Sequence, residues 1–238
     1  GVRTGEAVNE LFTGTIPAAI DRASQARRLG RDCPPSSLVA RFGDNPALTG
    51  SAIEGWASHL AARPDAAREA LAEAVQRADA SQHAPSIAAV QAVAALAAQR
   101  VDDAAAVADA VARIEPLLVD GGFALWRATA ETLSLWLRAR RGETCDPGAV
   151  AEVATRVQQA MAGTASVFRL VLGDALWCAG HRAPAWHMAE ETLRGIERVG
   201  DDAVRAEVYL QRARLRADAD EPDAARTELD RAGDGAAR

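Results

Sequence analysis

The stretch from Pro64 reads PDAAREAL, and the stretch from Pro222 reads PDAARTEL. Six of the eight letters agree, although the two begin 158 residues apart. Each makes sense as the opening of a helix. Proline is at home in the first turn, where its missing N–H is not needed. Asp65 and Asp223 then lie near the positive end of the helix dipole. Ala66, Ala67 and Ala70 offer a smooth face to a neighbour, and Leu71 and Leu229 are expected to point into a core.

If these are equivalent starts, others should lie between them, and three do. Asp102-Asp103-Ala104-Ala105 opens one helix, Asp146-Pro147-Gly148-Ala149 a second, and Ala183-Pro184-Ala185 a third. Four steps across the interval give a period of about 40 residues, long enough for two amphipathic helices, which is the signature of a helical-hairpin repeat. One hairpin cannot bury its own apolar stripe, so neighbouring hairpins must cover it. The expected fold is therefore all-α: a right-handed α-solenoid of about six hairpins, forming one domain over 1–238.

The hairpins fall at 3–13 with 17–29, 46–62 with 65–80, 84–99 with 102–118, 122–140 with 147–161, 164–179 with 183–198, and 202–217 with 222–232. The breaks carry turn residues: Gly121-Gly122, Gly142, Gly163, Gly180-His181 and Gly200-Asp201-Asp202. Residues 30–45, rich in proline and serine, read as an irregular connection in which Ser36–Phe42 has room for a short helix. Residues 233–238 read as a frayed tail.

Composition agrees with close helix stacking. Hydrophobic residues make up 49% of the chain, yet aromatics only 4%, so much of the core must be alanine. Alanine, leucine, arginine, glutamate and glutamine dominate, and all favour helix. No alternating β-branched run predicts a strand. The formal charge is −6 with acidic and basic residues interleaved. Nucleic-acid binders cluster their basic residues, so none is expected here. No apolar run is long enough to span a bilayer, and residues 1–20 lack the pattern of a signal peptide. Three cysteines, far apart and odd in number, suit a reducing cytoplasm. The opening Gly-Val-Arg reads as part of a larger protein.

The helix pairs resemble tetratricopeptide repeats. Gly173 and Ala213 suit the small position where the first helix of such a pair meets the second. Ala67, Ala105, Ala185 and Ala225 suit the alanine near the start of the second. The full motif is degenerate, and the period exceeds that family's by several residues. A broader resemblance covers roughly 44–230. The stretch GDNPALTGSAIEGWASHLAARPDAAREALAEAVQRA, with GFALW at 122–126 and ERVGDD at 197–202, resembles the helical sensor region of large ATP-binding bacterial regulators. These are LuxR-type regulators and nucleotide-cyclase-like proteins with an ATPase module. The resemblance implies a non-catalytic sensor or protein-interaction module. Its partners would be a protein or peptide, the ATPase or output domains of its own parent chain, or a small-molecule effector, with self-association left open. Two parts of those regulators are missing from this sequence: the phosphate-binding GxxxxGK[ST] loop and a basic helix-turn-helix. A free-standing tetratricopeptide adaptor is the alternative.

Catalytic patterns are sparse. Cys178, His181, His187, Glu190 and Glu191 form the one cluster of potential metal ligands, but neither HExxH nor paired CxxC occurs, so no metal and no cofactor is expected. No GxSxG elbow is present. Cys178 and His181 are close in sequence, yet nothing marks an oxyanion hole beside them. Arg138-Ala139-Arg140-Arg141 reads as charges at a helix C-terminus, where the dipole favours them.

The remaining candidates line the inner surface. First helices form the concave face in tetratricopeptide domains, and counting back from each turn gives its inward positions. These are Ile87 and Val90; Thr129, Thr132 and Trp136; Val167, Leu170, Asp174 and Trp177; and Glu207, Leu210 and Arg214. Thr129, Thr132, Trp136, Leu170, Asp174, Trp177, Glu207 and Arg214 are the expected ligand- or partner-binding set. Two readings stay open for Trp56, Trp126, Trp136, Trp177 and Trp186: fillers between alanine layers, or anchors for a partner.

Overall fold

The computed structural model describes residues 2–31, 33, 35–42, 45–118, 124–161 and 163–236. These form thirteen α-helices and no strand. In order they are α1 (Val2–Phe12), α2 (Ile16–Arg31), α3 (Pro35–Phe42), α4 (Pro46–Leu60), α5 (Pro64–Ser81), α6 (Ala84–Arg100) and α7 (Ala104–Ile114). There follow α8 (Ala124–Arg140), α9 (Pro147–Ala160), α10 (Ala165–Cys178), α11 (Arg182–Val199), α12 (Arg205–Asp218) and α13 (Pro222–Ala236). Among the described residues no helix is long and apolar enough to cross a membrane.

Several bounds differ from expectation. The helix expected over 102–118 is α-helical only to Ile114 and tightens into a 3-10 turn at Glu115–Leu118. Pro116 explains the change, because it lacks the N–H that would continue the α-helical ladder. A second 3-10 turn, Asp202–Val204, precedes α12. The short helix allowed for within 30–45 forms as α3. The tail expected to fray from Gly233 instead continues α13 through Ala236. The break expected at Gly121-Gly122 lies outside the described residues.

Contacts divide the chain into two compact units, Gly1–Trp126 and Arg127–Arg238. In the first, α1 packs on α2 and α4, α2 on α4, α4 on α5, both of these on α6, and α6 on α7. In the second, α9 packs on α10, α10 on α11 and α12, α11 on α12, and α12 on α13. Helix α8 joins the second unit through ion pairing of Glu131 with Arg156 on α9 at 2.9 Å.

One turn recurs among the described residues. Helices α1, α4, α6, α8, α10 and α12 each end just before a residue of positive φ: Gly14, Ala62, Asp102, Gly142, Gly180 and Asp220. Forty residues separate Ala62 from Asp102, Asp102 from Gly142, and Gly180 from Asp220. The hydrogen bonds repeat as well. Ala62 donates its N–H to His59 O at 3.0 Å and Arg63 donates to Ser58 O at 2.9 Å; Asp220 and Glu221 do the same to Ala217 O and Arg216 O at 3.1 and 3.0 Å. This Schellman-type closure satisfies the last carbonyls of one helix. After five of the turns the second helix begins two residues on. After Gly142 it waits for Asp146, whose carboxylate caps α9 by accepting from Ala149 N at 3.0 Å.

Seven residues before these turns stand Ala7, Gly55, Ala95, Leu135, Gly173 and Ala213, all buried. Five of the six are small, which lets the neighbouring helix come close. At Gly55 a Cβ would stand 2.6 Å from Leu71 Cγ on α5. Helices α2 and α4 approach in the same way, since a Cβ on Gly30 would lie 2.2 Å from Ala47 Cβ. Over this alanine-rich contact Arg27 of α2 bridges Glu54 of α4 and Glu73 of α5, each at 3.0 Å. Burial pushes the Glu54 carboxyl above its ordinary range, against the lowering pull of Arg27.

The matched octapeptides keep one buried face. Ala67, Ala70 and Ala74 of α5 correspond to Ala225, Glu228 and Ala232 of α13, and all six are buried. The two leucines do not behave alike. Leu71 is half-buried over Gly55, whereas Leu229 is 51% exposed and does not enter a core. Their neighbours differ: α5 is packed by both α4 and α6, whereas α13, the last described helix, packs on α12. Glu228 is buried instead, paired with Arg212 at 2.9 Å and Arg231 at 3.2 Å.

Candidate functional site

In the second unit α8, α10 and α12 are the first helices of successive hairpins. Four residues before their ends stand Trp136, Asp174 and Arg214. These three equivalent positions meet. Trp136 Nε1 donates to Asp174 Oδ2 at 3.1 Å. The other oxygen, Asp174 Oδ1, lies 3.9 Å from Arg214 Nη1. One residue before the end of α10, Trp177 Nε1 donates to Asp218 Oδ2 at 2.7 Å, again crossing from α10 to α12. Arg182 approaches the same Asp218 oxygen at 3.7 Å. Arginines cover both indoles: Arg140 stands 6.0 Å from the Trp136 ring centroid and Arg214 stands 5.9 Å from that of Trp177. The result is a ladder of indole, carboxylate and guanidinium groups.

The two ends of the ladder differ in access. Trp136 is fully buried, so its N–H must find an acceptor inside the protein, and Asp174 supplies it. Trp177 is half-buried and Arg214 is exposed. One turn back on α12 from Arg214, Leu210 is 41% exposed. Trp177, Leu210, Arg214 and Arg182 therefore offer an aromatic, an aliphatic and two cationic groups to solvent.

The structure brings together Trp136, Asp174, Trp177 and Arg214 from the expected binding set. It disposes of others differently. Thr129, Thr132 and Trp136 are fully buried and present no surface to a ligand. Val90 and Val167 are likewise core residues, while Ile87, Leu170 and Glu207 are half-buried. Between α10 and α12 the close approach is visible at Gly173: a Cβ there would stand 2.7 Å from Gln211 Oε1, and Gln211 uses that space to donate to Leu170 O at 3.1 Å. Asp218 and Arg182 escaped the sequence reading, and Arg140 was read only as a charge at a helix C-terminus. Their signal was register: Arg140 and Asp218 both stand two residues before a left-handed turn.

The five tryptophans split between the two readings. Trp56 and Trp136 are core, and Trp56 meets Phe12 edge-on at 5.8 Å. Trp186 is covered by Arg212 and Arg216, whose Cζ atoms are 4.5 and 4.2 Å from its ring centroid. Trp126 is half-buried.

Cys145 is buried, and burial pushes its thiol up, away from the reactive thiolate. Cys178 closes α10 and His181 precedes α11, but among the described residues no three of His, Cys, Asp and Glu gather as a metal would require.

No protein-family model, curated protein or solved structure matches this chain.

Proposed function

We propose that this chain is a non-catalytic sensor or interaction module of a larger bacterial signalling or transcriptional regulator, built as a right-handed solenoid of tetratricopeptide-like hairpins. Its partner would be a peptide segment, from another protein or from the ATPase or output domains of a parent chain. The observation that carries this reading is the half-open end of the ladder, where Trp177 and Arg214 stack beside exposed Leu210. Tryptophan and arginine dominate the energetics of protein interfaces. Here the hydrogen bond to Asp218 fixes the Trp177 ring in place, so little side-chain entropy remains to be lost on binding. The recurring turns support the repeat architecture, because each places a first helix in the same register as the last. Binding across α10 and α12 would bias the packing of these helices, and so act on whatever adjoins them.

A selection from a random peptide library tests this. Peptides recovered on the wild-type protein should share an apolar anchor beside a carboxylate and should change Trp177 fluorescence. They should lose tenfold or more in affinity, the size of an interface hot spot, against Trp177→Ala and Arg214→Ala. Recovery of no peptide, or of peptides indifferent to both substitutions, would remove the proposal.

A further inference from the structure

A separate cavity opens between α9, α10 and α11 of the second unit. Gln158, Ser166, Arg169, Thr192, Gly195 and Arg198 line it, and it measures about 270 Å3 including the solvent at its mouth. Most of that space is open solvent, so the recess can receive one small group at its mouth and not a cofactor. Its walls are unusual in what they leave unsatisfied. Ser166 is only 5% exposed, and its hydroxyl has no hydrogen-bond partner. Arg169 Nε is buried and also lacks one. Neither Arg169 nor Arg198 is held by an ion pair within 4.0 Å among the described residues. Thr192, fully buried, spends its hydroxyl proton on Met188 O at 2.7 Å.

The charges ask for a counter-ion. Burial lowers the pKa of Arg169, and the neighbouring positive charge of Arg198 lowers it further. Glu191, which also pairs with Arg194 at 3.1 Å, opposes this more strongly than Arg198 adds to it, yet it makes no ion pair with Arg169 within 4.0 Å. Two like charges lining one small recess leave it favourable to an anion placed between them. Ser166 belongs to the first turn of α10, so the positive end of that helix dipole adds in the same sense. Arg169 Nη1 lies over Gly195, 3.5 Å from where a Cβ would stand.

We propose that this cavity binds a small oxyanion, a phosphoryl group held by the guanidinium groups of Arg169 and Arg198 and by the Ser166 hydroxyl. A phosphoryl group carries up to two negative charges and three acceptor oxygens in a tetrahedral array. It can therefore meet both arginine forks and the hydroxyl at once. A carboxylate has one charge and two coplanar oxygens, which suffice for one fork. The phosphoryl group could be free phosphate or the end of a small phosphorylated metabolite. In either case the site is independent of the peptide surface at the other end of α10.

Isothermal titration calorimetry on the whole chain at constant ionic strength tests this, with inorganic phosphate, glycerol 3-phosphate and acetate as probes. Saturable binding of phosphate or the ester, with none of acetate, is expected. Tighter binding of the ester would point to a metabolite, and equal or weaker binding to free phosphate. Arg198 is exposed, so Arg198→Gln should fold normally and weaken binding about tenfold or more, the worth of one charge-assisted hydrogen bond. Ser166→Ala should weaken it severalfold. No binding of either phosphate probe at tens of millimolar would overturn the assignment. So would equal binding of acetate, or binding that survives both substitutions.

Discussion

Trp136 Nε1 donates to Asp174 Oδ2 at 3.1 Å, joining two positions that each stand four residues before the end of a first helix. The indole is wholly enclosed, so the bond decides more than its own strength. Asp174→Ala would leave a buried N–H with no acceptor and should lower stability by about 1–3 kcal/mol. Asp174→Asn keeps a carbonyl oxygen at the same place and should cost less. Urea unfolding of the three proteins, followed by tryptophan fluorescence, measures both. An alanine variant as stable as the wild type would show that the bond is not holding the helices together.

Gly55 tests the close approach of α4 and α5. Alanine is the better helix former by about 1 kcal/mol, so Gly55→Ala would stabilise an isolated helix. In this fold its methyl group would stand 2.6 Å from Leu71 Cγ and 3.2 Å from Ala67 O. Overpacking of that kind costs about 1–3 kcal/mol, and we expect a net loss in thermal unfolding. Removing the obstructing side chain should relieve it. The double variant Gly55→Ala with Leu71→Ala should therefore lose less than the two single losses combined. Strict additivity would mean that the two residues do not press on one another.

These contacts also show how far the sequence could be read. The repeated PDAAR words mark true helix starts, because proline at the first turn and aspartate at the dipole's positive end act locally. Local physics likewise placed the turns at Gly142, Gly180 and Gly200. What packs against a helix was less legible. Leu71 and Leu229 close the same word, yet Leu71 is half-buried on a helix packed by α4 and α6 and Leu229 is 51% exposed on α13, which packs on α12. Asp174, Trp177 and Arg214 lie in one set of contacts, yet Thr129 and Thr132 are core. Spacing reveals which face of a helix a residue occupies, not how close the next helix comes. The arginine cavity was invisible for a related reason, since Arg169 and Arg198 belong to different helices and meet only through tertiary packing.

Ala62 occupies the left-handed turn after α4 with φ at 55°. Four of the eight described residues with positive φ are glycine, which has no Cβ to clash there. An alanine in this conformation costs about 1–2 kcal/mol. Glycine avoids that cost but gives back about 0.5–1 kcal/mol of chain entropy. Ala62→Gly should therefore stabilise the first unit slightly, by about 0.5–1 kcal/mol. Gly142→Ala, at the equivalent turn after α8, should do the opposite. Differential scanning calorimetry of both variants checks the sign, and a destabilised Ala62→Gly protein would rule out backbone strain at this turn.

Asp201, between α11 and α12, gives the fold a pH dependence. Both carboxylate oxygens are buried without a hydrogen-bond partner. Burial, and then the neighbouring charge of Asp202, push its pKa from 3.8 up to about 7. The folded protein thus holds this proton over a range where the unfolded chain has released it. Stability from this group is complete below about pH 4, falls as pH rises towards 7, and is lost above that. At about 1.4 kcal/mol for each pKa unit, the loss is on the order of a few kcal/mol. Asp201→Asn cannot ionise. It should remove this slope and leave a protein more stable than the wild type at pH 8, while the two converge near pH 4. Urea midpoints measured across that range decide the matter. A wild-type slope retained in the asparagine variant would assign the titration to some other group.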